Sequence, residues 1–204
     1  MSIPSLPVTR GPLAAREAPR ATPAEVLERP SERFRRLVDE HFDFIWRSLR
    51  GLGVPASGVD DAAQHVFWLA HQKLASIAPG AEKSFLFGLA RGVAANQRRA
   101  AARARERGDG DFLESVVSDA PDPEELSSLK QARVLLDRAL DALPFELRTV
   151  FVLFELEGLT TQEIAELTAV PTGTVAARLR KARSEFHVIA RRLEARGRSR
   201  GGPR

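Results

Sequence analysis

Residues 163–183 read EIAELTAVPTGTVAARLRKAR. An apolar helical run meets a turn, a proline and then a basic helix. Two helices that cross closely need a small residue at the contact, a tight turn and an apolar anchor on the second helix. Ala165, Ala169 and Val175 stand at offsets that supply all three, and Ile164 and Leu179 add packing. Pro171 suits a helix start, where its missing N–H is not needed. Thr160, with Glu163 three residues on, makes a capping box for the first helix. Gly173 and Thr174 fall in the first turn of the second helix, whose free N–H groups suit a phosphate. Val175, Leu179 and Ala182 take the inner side, whereas Arg178 and Lys181 share an outer face flanked by Arg180 and Arg183. Arginine is the usual partner of guanine edges and of phosphates. The stretch therefore predicts a helix-turn-helix that reads DNA, the alternative being a helical hairpin with a solvated basic face.

Charge segregation along the chain favours the first reading. The 204 residues carry a net charge of +4, but from residue 170 onward ten Arg and Lys face only Glu185 and Glu194. Residues 84–107 hold six arginines against Glu106, and residues 108–129 hold seven acids and no base. Two basic segments separated by an acidic one suggest a polyanion met twice. The chain has no cysteine, which excludes a disulfide framework and a thiolate zinc site. Its four histidines, His41, His65, His71 and His187, lack ligand spacing, and neither a catalytic triad order nor a glycine-rich phosphate loop is visible. No metal, cofactor or catalytic residue is expected. No run is long enough to span a membrane and no apolar signal core opens the chain, so the expected location is the cytoplasm.

The fold class predicted is all-α: two small helical domains joined by a flexible acidic linker, the second containing the helix-turn-helix. Residues 1–30, with six prolines, read as a disordered arm. A first domain over 31–107 begins with a helix from Ser31 whose apolar stripe is Phe34, Leu37, Val38, Phe42, Ile45 and Leu49. A second helix spans about Val59 to Ala75, capped by Ser57 or Asp60, with Ala63, Val66, Phe67, Ala70 and Leu74 inward. A third spans about Ser84 to Arg105, with Phe85, Leu86, Leu89, Ala90 and Val93 on its inner side. Residues 108–124 form the linker. The second domain, 125–195, holds a helix ending at Asp141, a helix with Leu147, Val150, Phe151 and Phe154 inward, and the helix-turn-helix. Residues 196–204 read as a disordered tail. Trp46 and Trp68 are expected in a core or an interface.

The stretch from Leu143 to Arg183 resembles the promoter-reading region four of bacterial sigma factors. Its marks are Leu143–Pro144, Glu157–Leu159, Glu163–Ala165, Gly173–Val175, Arg178–Leu179 and Ala182–Arg183. DDAAQHVFWLAHQKL, residues 60–74, resembles the region-two helix that docks on core RNA polymerase, and SFLFGLARGVAANQRR, residues 84–99, the following helix that lies against the −10 element. Both regions, with little between them, resemble the compact extracytoplasmic-function group. The resemblance implies a sigma factor without catalysis. Its partners would be core RNA polymerase, promoter DNA and an anti-sigma factor, without membrane insertion.

The resemblance, together with the chemistry of the side chains, assigns residues. Asp60, Asp61, Gln64, His65 and Phe67 would contact polymerase. Lys83, Phe87, Arg91, Arg98 and Arg99 would contact the −10 element, Phe87 by stacking on a base, with a flipped base held in the loop ahead of that helix. Thr172, Thr174, Ala177, Arg178, Arg180, Lys181 and Arg183 would contact the −35 element. His65 stands where the family prefers an acid, and Ala169 where it prefers glycine. A left-handed Ala169 would cost about 1 kcal/mol. The rival reading is a helix-turn-helix regulator that never binds polymerase.

Overall fold

The computed structural model describes residues 30–107 and 123–200, so the expected arm and acidic linker lie outside the described residues. Among the described residues seven α-helices run α1 Pro30–Leu52, α2 Val59–Gln72, α3 Glu82–Arg107, α4 Pro123–Asp141, α5 Phe145–Phe151, α6 Thr161–Thr168 and α7 Thr172–Arg200. There is no strand among the described residues. A π-helical turn, Val152–Leu156, prolongs α5, and 3-10 turns occupy Ala56–Gly58 and Leu74–Ser76.

Helices α1, α2 and α3 pack on one another, and α4, α5 and α6 gather around α7. The periodicity of α1 buries Leu37, Ile45, Leu49 and Leu52 together with Phe44. Phe42, expected on that stripe, is turned toward solvent and lies over Phe67, with ring centroids 6.0 Å apart. The inward set expected for α2 is buried as expected. Its N-cap is Gly58, without a side-chain hydrogen bond, so neither Ser57 nor Asp60 caps it. Asp60 instead accepts from the indole N–H of Trp46 at 2.8 Å. Helix α3 begins two residues earlier than expected and buries Leu86, Phe87, Ala90 and Ala94. Phe85, Leu89 and Val93 are only partly covered. Helix α7 continues to Arg200, into the segment expected to be a disordered tail.

The two helical groups do not stand apart. A single apolar core runs through both, with α1 meeting α5 and the π-turn, and α3 meeting α6. Sequence reading treated the groups as tethered bodies. The shared core arises from contacts between residues about a hundred positions apart, which no local periodicity reports.

Candidate nucleic-acid interface

The helix-turn-helix is built as its sequence demands. The Thr160 hydroxyl accepts from the Glu163 N–H at 3.2 Å, and the Glu163 carboxylate accepts from the Thr160 N–H at 2.7 Å. Bonds from the Thr160 backbone and hydroxyl hold the Glu163 carboxyl below the usual carboxylate range. Ala169 closes α6 in the left-handed region, φ 53° and ψ 39°, and its N–H reaches the Ala165 carbonyl. That is the conformation that glycine adopts without cost. Val175, Leu179 and Ala182 of α7 are buried against α5 and α6, as the anchor reading required.

The outer face of α7 is less uniform than its sequence. Thr172, Thr174, Ala177, Arg180 and Lys181 are exposed. The Thr172 hydroxyl meets Gln162 of α6 at 3.2 Å, which ties the turn together. The Thr174 N–H turns back to the Pro171 carbonyl at 2.8 Å, so it is not a free donor for a phosphate. Arg178 is paired with Glu146 at 3.1 Å. Arg183 is paired with Glu155 at 2.6 Å, and its guanidinium lies 4.9 Å from the centre of the Phe154 ring. Solvent-facing charge thus sits at Arg180 and at Lys181, which has only Glu185 of its own helix at 3.8 Å, while the two neighbouring arginines are braced by acids of other helices.

The expected −10 residues divide in the same way. Lys83 is exposed above the Phe44 ring at 4.6 Å. Arg91 is half-buried, and Arg99 is exposed and held to Asn96 at 2.5 Å. Arg98 reaches across to the other module, where it meets the Asp141 carboxylate at 3.8 Å and the Asp141 and Leu143 carbonyls at 3.3 and 3.5 Å. Phe87 corrects the sequence reading. It is 1% exposed and packs near Phe44 in the core, so it offers no face to a base. The loop ahead of α3 is fixed by Arg33 of α1, which donates to the Leu74 and Ile77 carbonyls and to Glu82. Burial opposes ionisation of Glu82, but backbone hydrogen bonds and Arg33 outweigh it and hold that carboxyl below its ordinary value.

On α2, Asp60, Asp61, Gln64 and His65 share the solvent side. Phe67 does not join them, because its ring is buried. Trp68 takes its place. This side chain is 56% exposed, the largest apolar surface left open there, and stacks on His65 with centroids 5.7 Å apart. Sequence reading left Trp68 unassigned between core and interface. Its position one residue past the buried Val66–Phe67 pair was the available signal.

Residues 133–186 match the family described as Sigma-70, region 4. The ECF RNA polymerase sigma-E factor of Escherichia coli K12 is 31% identical over 138 residues, covering 64% of this chain and 72% of that protein. The chain belongs to the extracytoplasmic-function sigma factors. The corresponding SigE of Mycolicibacterium smegmatis is 27% identical over 150 residues, or 74% of this chain, and the match spans only 58% of that longer relative. Both alignments are longer than either helical group, so the kinship extends beyond the helix-turn-helix and does not favour a free-standing regulator. Among solved structures, the chain resembles CnrH in complex with the cytosolic domain of CnrY, with a TM-score of 0.56, 21% identity and coverage of 81% and 90% of the two chains. It also resembles RpoE in complex with the anti-sigma factor NepR from Bartonella quintana, with a TM-score of 0.59, 21% identity and coverage of 78% and 98%. These two likenesses speak for the fold of this sigma factor. None of its described helices is long and apolar enough to cross a membrane.

Proposed function

We propose that this sigma factor docks on core RNA polymerase through the solvent side of α2, opens the −10 element with α3 and the loop before it, and reads the −35 element with the start of α7. The docking set is Asp60, Asp61, Gln64 and His65, extended by Trp68. The −10 set is Lys83, Arg91, Arg98 and Arg99. The −35 set is Thr172, Thr174, Ala177, Arg178, Arg180 and Lys181, with Arg183 bracing the helix through Glu155 rather than meeting DNA. Residues 31–107 are assigned to polymerase and the −10 element, and residues 125–195 to the −35 element. The observation that carries the reading is the capped helix-turn-helix whose second helix leaves Thr172, Thr174, Arg180 and Lys181 open to solvent. A helix N-terminus with polar and cationic side chains is what a major groove and its phosphates accept. The protein acts in the cytoplasm and has no chemistry of its own. It supplies binding energy that offsets the several kcal/mol needed to open a few base pairs. An anti-sigma factor is a further expected partner, since two solved relatives of the same fold carry proteins of that kind or a cytosolic domain in their complexes.

Run-off transcription with core polymerase tests this directly. The full chain should convert core enzyme to initiation at discrete start sites. Reversal of Asp60 and Asp61 to lysine should abolish the conversion by weakening core binding, as measured in a pull-down. Unaltered core affinity in that variant would reject the docking assignment.

A further inference from the structure

The first turn of α7 carries two exposed threonines that are chemically alike and differently held. The Thr174 hydroxyl has no hydrogen-bond partner among the described residues. The Thr172 hydroxyl lies 3.2 Å from Oε1 of Gln162 on α6. Gln162 is held in turn by Glu166, one helical turn along α6, whose Oε1 accepts from the Gln162 Nε2 at 2.8 Å. Gln162 and Glu166 are both exposed. Three side chains thus run Glu166–Gln162–Thr172 across the solvent side of the unit and end on the helix assigned to the −35 element.

The chemistry of this chain has a direction. A carboxylate only accepts, so Glu166 must face the amide nitrogen of Gln162. The amide oxygen then faces Thr172, and an amide oxygen also only accepts. The hydroxyl proton of Thr172 is therefore committed to Gln162, and its oxygen keeps lone pairs alone for an incoming ligand. A group that elsewhere serves as donor or acceptor is here an acceptor. Phosphate oxygens accept as well, so the DNA backbone is a poor partner for it. The base edges of the major groove are sorted by the same rule. Cytosine offers an amino donor at N4 and adenine one at N6, whereas guanine shows N7 and O6 and thymine O4, all acceptors. The next positions of α7 add no competing polar reader, because they are Ala176 and Ala177, and Arg178 is paired with Glu146.

We propose that Thr172 is a specificity-determining residue, fixed as a hydrogen-bond acceptor by Glu166 acting through Gln162. It selects a base with an exocyclic amino group, adenine or cytosine, at the −35 position it faces. Gln162 and Glu166 are positioning residues, and Thr174, whose hydroxyl turns freely, supplies a contact of either sense. The proposal rests on the −35 reading above and adds the chemical class of base that the first residue of α7 accepts.

The test uses holoenzyme reconstituted from the full chain and bacterial core RNA polymerase. Duplexes with a randomised −35 region are offered, and the bound ones are sequenced. With the unaltered chain one position should be restricted to adenine or cytosine, and the base that dominates there identifies the ligand. Replacing it by purine (for adenine) or pyrimidin-2-one (for cytosine) removes only the amino group and should weaken binding about fivefold. Thr172→Val, close to isosteric, should bind the parent and amino-free duplexes alike, and Thr172→Ser should restore the difference. Glu166→Gln is the decisive variant. An amide at 166 both donates and accepts, so Gln162 can turn over and the Thr172 hydroxyl can donate again. Guanine and thymine should then rise to the level of adenine and cytosine at that position, with every other position unchanged. All three substitutions lie at exposed sites, and their circular dichroism melts should match that of the unaltered chain. A restriction that survives Thr172→Val overturns the reader. One that survives Glu166→Gln, or a loss of affinity shared by all sequences in that variant, overturns the positioning chain. Absence of any −35 preference in the unaltered holoenzyme defeats the −35 reading itself, and is told apart because it is seen before any residue is replaced.

Discussion

The arginines of α3 and those of α7 look alike in sequence, yet the fold employs them differently. Arg98 of α3 is committed to the facing module, bound to Asp141 and the Leu143 carbonyl. Arg178 and Arg183 of α7 are committed to Glu146 and Glu155 within their own module. Only Lys83, Arg99, Arg180 and Lys181 among the candidate cations are exposed without an inter-helix ion pair shown for them. A basic segment is therefore not a basic surface. Acids delivered by neighbouring helices decide how much charge a nucleic acid meets, and they decide whether an arginine serves recognition or assembly.

That contrast can be broken at its root. Val175 is fully buried where α7 crosses α6. Val175→Asp should destabilise the helix-turn-helix by several kcal/mol, because an unpaired charge enters an apolar contact. Thermal melting followed by circular dichroism should show α4–α7 lost, and a melt like that of the unaltered chain would undo the anchor role. A smaller effect sharpens the division within α7. If Arg180 and Lys181 meet phosphates, replacing each by alanine should lower the salt slope of DNA binding by about one unit and leave the melt unchanged. Arg183→Ala should do the converse, costing up to about 1 kcal/mol of stability through Glu155 and Phe154 with little change in salt slope. Equal slopes for all three variants would mean that the ion pair to Glu155 does not withhold Arg183 from DNA.

Two modest effects lie in the turn that both helices share. Ala169→Gly should stabilise the unit by about 1 kcal/mol, since glycine accepts the left-handed backbone that alanine resists. Thr160→Ala should lower the melting temperature by about 2–4 °C through loss of the cap. The Glu163 carboxyl is held below its ordinary value by Thr160. Its contribution is therefore present above the unfolded carboxylate range and lost as pH falls through the folded value. The melting-temperature difference between Glu163→Gln and the unaltered chain should therefore shrink in acid, and a constant difference from neutral pH to below pH 4 would separate the Glu163 charge from the cap.

The helix-turn-helix was legible because its determinants are local. A capping pair, a proline at a helix start and small residues at fixed offsets act within a few positions of one another. The register of α3 was less legible. Apolar residues occupy 85, 86, 87, 89 and 90, so two stripes one residue apart fit equally well, and only packing against Phe44 selects Phe87 for the interior. Arg148 left no trace in the pattern. A lone arginine in ELRTVFVLF reads as a surface residue, and its burial depends on Gly51, 97 positions earlier. The inter-module ion pairs were hidden for the same reason. Each partner alone is an unremarkable charged side chain, and the pairing exists only once the two groups of helices meet.

The acceptor that Gly51 offers to Arg148 is a main-chain oxygen. No substitution at position 51 deletes it. What substitution changes is thickness, since each added carbon props the facing surfaces further apart. Volume at this one position is then a graded dial on how closely α1 and the π-turn can pack, from glycine through alanine to larger residues.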